Sequence, residues 1–259
     1  MIINNKLELL IMGSNQEQKI KGDNNTQQLI TINGDYNVVG LQKDDVINLI
    51  QAYCYTDREQ IVDIVKETIE SINEEDRKMP DKRVFVPVIQ QLSYSLDDEY
   101  IKNAYRRLLK SSMNRKKTIH PSFVSIIGQV NSDEIKILNK LPNVANIPFP
   151  IIDVRMKVGK QEGKGITLIR NFSDIGYDLC DNPGNICTYI ENLERLKLIE
   201  IPTMLTLTNK DVYTKLKQHP AVLNTLARNA SSPDLTYEYD EKFFQLTQFG
   251  AQFINACSE

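Results

Sequence analysis

The chain of 259 residues sets 31 lysines and arginines against 34 aspartates and glutamates, for a net charge of -3, with 41% hydrophobic and 25% charged residues. That length can bury a real core as one large domain or two ordinary ones, and the charge balance excludes a protein that coats nucleic acid through its overall field. No apolar run approaches the ~20 residues that span a bilayer, and Cys54, Cys180, Cys187 and Cys257 form no CxxC pair, so we expect a cytoplasmic chain with reduced thiols and no membrane span.

Residues 15–42 are crowded with Asn, Gln and Gly, and Ile20-Lys21-Gly22-Asp23-Asn24-Asn25 recurs twelve residues later as Ile32-Asn33-Gly34-Asp35-Tyr36-Asn37. Each copy reads as a strand end followed by a turn, because glycine and asparagine tolerate positive φ. A β-hairpin or a rung-like β-arc is the natural reading of residues 1–42. A pair of strands this small is marginal alone. Ile20, Gly22, Asn25, Ile32, Gly34 and Asn37 are therefore read as assembly residues of a homo-oligomer, with docking on the body or a plain polar leader as the alternatives.

Residues 43–141 read as a helical domain. Val46, Ile47, Leu49 and Ile50 mark a first helix, and Ile61, Ile64, Val65, Thr68 and Ile72 a second, followed by a linker at residues 78–82. A third helix follows Pro87 with Val88, Ile89 and Leu92. A fourth starts near Asp97 and carries Ile101, Ala104, Tyr105, Leu108 and Leu109. A fifth follows His120-Pro121 with Phe123, Ile126, Ile127 and Val130, since proline suits a first helical turn. Ser132-Asp133-Glu134 then caps a short helix bearing Ile135, Ile137, Leu138 and Leu141.

Residues 142–259 mix helices with strands. Strands are expected at residues 166–169, 199–203 and 243–246, and helices at 172–180, 185–198, 211–218 and 248–257. This is winged-helix order with the 211–218 helix inserted in the wing. The whole is mainly α with small β elements, an α+β chain: a β-forming leader, a helical body and a winged-helix-like C-terminal part.

Three stretches resemble one known family. They are His120-Pro121-Ser122-Phe123-Val124-x-Ile126-Ile127-x-Gln129-x-Asn131-Ser132-Asp133-Glu134-x-x-Ile137-Leu138, then Tyr189-Ile190-x-Asn192-Leu193-x-Arg195-Leu196-x-Leu198-Ile199, and Leu246-Thr247-x-Phe249-Gly250-x-x-Phe253-x-x-Ala256-Cys257. Their order and content are similar to the Abi-alpha (abortive infection) family of bacterial phage-resistance proteins. The resemblance implies a role in phage defence without supplying a mechanism. It has one departure: Lys197 stands where the family pattern expects glycine, so the turn into the wing is expected to run differently.

No clustered His, Cys, Asp or Glu motif points to catalysis, and neither a metal nor a cofactor is assigned. His120 is read as structural, bonding a backbone carbonyl before the Pro121 helix, and Asp133 and Glu134 as parts of a helix N-terminus. The glycines Gly159, Gly163 and Gly165 lack the ending of a phosphate loop and read as a hairpin loop. Arg106, Arg107, Lys110, Arg115, Lys116 and Lys117 form a cationic run that can neutralise phosphates, with Tyr100 and Tyr105 able to stack on bases, or else is a solvated helix end. The helix at 185–198 sets Glu191 and Glu194 against Arg195 and Lys197, a poor match for a major-groove reader. The expected partners are a phage or host protein and other copies of the chain; the alternative is a nucleic-acid-binding regulator using the cationic run.

Overall fold

The computed structural model describes residues 58–158, 165–230 and 235–257. Both Ile-x-Gly-Asp copies, the helix expected from Val46 and Cys54 lie outside the described residues. The described chain is α+β.

The first half is helical, with α1 (Arg58–Glu70), α2 (Lys82–Leu92), α3 (Glu99–Ser112), α4 (Ser122–Ile127) and α5 (Ser132–Lys140). α3 is the hub because its apolar residues recur at helical spacing all along one face: Ile101, Ala104, Tyr105, Leu108 and Leu109 are buried, and α1, α2, α4, α5 and α9 (Gln248–Cys257) pack on it. Asp98 caps it, its side chain accepting the N–H groups of Tyr100 and Ile101 at 3.1 Å. Truncating Leu108 or Leu109 to alanine removes packing worth about 2–5 kcal/mol.

Two helix starts differ from the sequence reading. α2 begins at Lys82, capped by Asp81, so Pro87 lies inside the helix instead of preceding it. Proline removes one bond there, and the carbonyl that loses its donor belongs to Arg83, an exposed residue that water can satisfy. α5 is capped by Asn131, not by Ser132. Asparagine's short side chain reaches the Glu134 N–H at 2.9 Å while the Glu134 carboxylate returns to the Asn131 N–H at 2.8 Å.

The second half builds one antiparallel sheet in the order β2-β1-β4-β3, from β1 (Pro148–Val158), β2 (Gly165–Phe172), β3 (Ile199–Glu200) and β4 (Leu235–Leu246). β1 was not expected, yet it is central, paired with β4 from Pro148↔Gln245 to Val158↔Leu235. Pro148 and Pro150 are tolerated because β2 reaches only as far as Ile152, leaving that end of β1 with a strand on one side alone. β4 is eight residues longer at its start than residues 243–246. β3 is shorter than residues 199–203, because Pro202 cannot donate to a ladder.

Three helices follow the sheet's outline: α6 (Ile186–Arg195), α7 (Asp211–Lys217) and α8 (Pro220–Asn229). α6 packs on β2 and α7 on β1. The helix expected over residues 172–180 is only a single 3-10 turn at Tyr177–Leu179, because Asn171 at φ 56° and Gly176 at φ 70° bend the backbone on either side. α6 stops at Arg195 instead of running to Leu198. One continuous cluster of buried apolar side chains extends from Ile61 of α1 to Cys257 of α9.

Candidate functional site

The three family-like stretches, distant in sequence, meet in space. The first is joined to the second through Asn192 of α6, whose amide donates to Glu134 Oε1 at 2.7 Å and to the Gln129 carbonyl at 2.9 Å. Arg195 adds a bond to Gln129 Oε1 at 3.2 Å. Burial raises the Glu134 carboxyl above its ordinary value despite these donors.

Beside it, Asp133 is buried and accepts four donors: the N–H groups of Asp181 at 2.7 Å and Asn182 at 2.9 Å, the Tyr189 hydroxyl at 2.9 Å and the Lys136 ammonium at 3.2 Å. Burial alone would push this carboxyl up. The backbone donors, the tyrosine and the lysine outweigh it and hold the carboxyl below the ordinary range. A carboxylate so fully engaged is a bolt between α5 and α6, not a base with a lone pair to offer.

The second stretch meets the third at the end of α6. The Leu198 N–H reaches back to the Leu193 carbonyl at 3.1 Å and the Lys197 N–H to the Glu194 carbonyl at 2.9 Å, the pair of bonds of a Schellman turn. Lys197 sits at φ 59° in the left-handed region. The departure from glycine therefore alters the cost of this turn, while its backbone is the one a glycine takes most easily, contrary to the expectation of a different path. Thr247 locks the turn, its hydroxyl donating to the Lys197 carbonyl at 2.7 Å and accepting the Gly250 N–H at 2.8 Å. A Cβ on Gly250 would overlap the Leu198 carbonyl oxygen, so only glycine lets α9 approach this closely.

The third stretch closes on the first through aromatic rings. Phe249 and Phe253 lie 5.3 and 5.4 Å from the Phe123 ring, and His120 lies 5.8 Å from Phe249. His120 accepts the Ser122 N–H on Nδ1 at 3.2 Å and meets the Ser122 hydroxyl at 2.6 Å. It thus bonds a backbone donor at the start of α4 instead of the carbonyl expected. Neither Asp133 nor Glu134 is its partner. His219 before Pro220 does the same for α8, accepting the Ala221 N–H at 3.2 Å.

The cationic residues sit around the end of α3. Arg106 pairs with Glu67 at 3.1 Å and Lys116 with Asp76 at 2.7 Å. Arg115 donates to the Arg77 carbonyl, and Lys117 to the Asn255 carbonyl near the end of α9. Arg107 is half-buried and Lys110 is exposed; a bridge between Arg77 and Asn114 adds Arg77 and Lys78 to the same surface. Tyr100 packs under the Lys136 ammonium, and Tyr105 is fully buried, so Tyr105 is not a platform for bases.

Sequence reasoning missed one concave surface. A groove of ≈ 510 Å³ lies among Asp153 of β1, Arg170 and Asn171 of β2, Glu194 of α6, residues 201–206, and Asp240, Glu241 and Lys242 of β4. In its floor Lys242 bonds Asp153 at 2.8 Å and Asn171 at 2.7 Å. Glu241 holds both Lys210 and Lys217 at 2.7 Å, and these lysines keep its carboxyl below the ordinary value. The only local signal was Pro202, which ends β3 and lets the chain swing away from β4.

The abortive infection alpha family model matches residues 57–257, a span that contains all three stretches. The chain belongs to the abortive infection alpha family. No curated protein matches it. A solved structure of an uncharacterized protein from the hydrocarbon-degrading marine bacterium Alcanivorax borkumensis SK2 is similar at 14% identity, covering 52% of this chain and 90% of that one with a TM-score of 0.35. A likeness of that extent carries no inference for this abortive infection alpha chain. Among the described residues, no helix is long and apolar enough to cross a membrane.

Proposed function

We propose that this protein serves anti-phage defence in the cytoplasm by recognising a phage or host protein, without chemistry of its own, and assembles through residues 1–42. The observation that supports recognition is the division of labour among polar groups. Those of the family motifs are bonded to one another across α5, α6 and α9, whereas the sheet's groove keeps charged groups and an apolar rim facing solvent. In this reading α5, α6, β3 and β4 form a winged-helix-like frame whose wing carries α7 and α8. Balanced charge on α6 suits a protein contact better than a DNA groove.

The test is phage challenge of bacteria expressing substituted proteins. Charge reversal in the groove, with Glu194→Lys and Asp240→Lys, should abolish protection at unchanged melting temperature, while Arg106→Gln with Lys110→Gln should not. Deleting residues 1–42 should reduce the sedimenting species while the helical body stays folded. Full protection by the groove variants would refute recognition through this surface.

The alternative, a nucleic-acid-binding regulator, gains from the approach of Arg77 and Lys78 to Arg115, Lys116 and Lys117 across the Arg77–Asn114 bridge. It requires salt-sensitive binding of DNA or RNA that Arg106→Gln, Arg115→Gln and Lys116→Gln remove.

A further inference from the structure

β3 pairs with β4 only at Ile199↔Leu246 and Glu200↔Gln245, after which the chain leaves the sheet. Pro202 has no N–H to offer, and Met204, at φ 61°, turns the backbone away. Residues 201–206 make no backbone hydrogen bond to residues 240–244, so beyond Glu200 the outer edge of β4 faces the groove without a strand from this loop beside it. An unpaired edge is a template for another extended chain.

The rim and the charges narrow what that chain must be. Met204 is fully exposed and Leu205 half-exposed, an apolar pair held out by a left-handed residue at the mouth of the groove. Asp153 is paired with Lys242, and Glu241 with Lys210 and Lys217. Glu194, Asp240 and Arg170 make no ion pair among the described residues, two carboxylates against one guanidinium. Glu241 holds two lysines and so carries a surplus positive charge, but it alternates with Asp240 to the opposite face of β4, and the face that bears Asp240 beside the Asp153–Lys242 pair is left net acidic.

We infer that the outer edge of β4 takes an extended peptide segment of a partner protein as an added strand, one whose side chains alternate between apolar residues, set against Met204 and Leu205, and basic residues, set against Asp240 and Glu194. Strand addition supplies affinity through main-chain bonds and selectivity through alternate side chains. This deepens the recognition reading and rests on it.

The test titrates the full-length protein into a fluorescently labelled peptide of alternating valine and lysine, followed by anisotropy. The peptide should bind saturably. Replacing its lysines with glutamate, or N-methylating alternate amides to remove the ladder donors, should weaken binding about tenfold or more, as should Met204→Glu or Asp240→Lys in the protein at unchanged melting temperature. Absence of binding, or equal binding by the N-methylated peptide, overturns strand addition. So does a fall in the protein's own sedimentation coefficient caused by the same two substitutions, because the occupant is then a second copy. Phage challenge separates this inference from the reading beneath it. If no peptide binds but Met204→Glu abolishes protection, strand addition falls and recognition stands; if protection also survives Met204→Glu and Asp240→Lys, both fall.

Discussion

Replacing Lys197 with glycine should stabilise the protein. Lys197 holds φ 59° at the first position past α6, and its N–H and that of Leu198 close the turn on Glu194 and Leu193. A residue with a Cβ in this conformation costs about 1–2 kcal/mol, which glycine avoids. Against that, glycine loses about 0.4–1 kcal/mol more chain entropy on folding, and a cation at a helix C-terminus forfeits a few tenths. The net is about 0.5 kcal/mol in favour of glycine, or ~1–2 °C in melting temperature for a chain of this size. The Lys197 side chain is exposed and only its backbone is used, the N–H by Glu194 and the carbonyl by Thr247, so the substitution removes nothing else. Thermal unfolding by circular dichroism should rank Lys197→Gly above wild type, Lys197→Asn near it, and Lys197→Val below it by several degrees. A Val variant as stable as wild type would show that residue 197 is not left-handed in solution and would refute the reasoning.

Gly250→Ala should cost about 3 kcal/mol or more, because the added methyl meets the Leu198 carbonyl and α9 must retreat from α6; urea denaturation reads this, and a loss under ~1 kcal/mol would contradict the packing. Asp133→Asn should cost about 2–4 kcal/mol, since an amide NH2 would then face donors. Because the Asp133 carboxyl is depressed in the fold, its stabilisation is complete above the unfolded value near ~3.9 and is lost as pH falls through the lower folded value; Asp133→Asn should flatten that acid limb of the stability curve. His120→Ala should lose about 1 kcal/mol while His120→Asn, which keeps an acceptor for the Ser122 N–H, loses little, and both folded proteins should retain phage protection. Burial pushes the Cys180 and Cys187 thiols up to about 11, so at neutral pH their alkylation, read site by site by mass spectrometry, should be slow in the native protein and accelerate on unfolding.

Helices with a strong stripe were legible in the chain alone. The spacing of Ile61, Val65, Thr68 and Ile72 placed α1, that of Ile101, Tyr105 and Leu108 placed α3, and the α9 boundaries agree with the reading at residues 248–257. Helical periodicity is local, so a few turns of sequence carry it. The family motifs were legible as patterns of residues, but not as one junction, because each of their bonds joins residues dozens of positions apart.

The sequence by itself determined where apolar stripes make helices, that the His120-Pro121 step opens a helix, and that Lys197 breaks a glycine pattern, while the helix that Pro220 opens after His219 came only with the structure. Only the tertiary structure decided the sheet. β1 begins with two prolines and runs between two strands, and β4 alternates half-buried with exposed residues such as Glu238 and Asp240, so neither shows the clean apolar alternation of a strand with one wet face. Their pairing partners lie up to ninety-seven residues away, between Pro148 and Gln245, and the groove arises only where β3 abandons β4 at Pro202. Strand pairing and concavity are properties of segments brought together by the fold, and no window of sequence contains both sides of them.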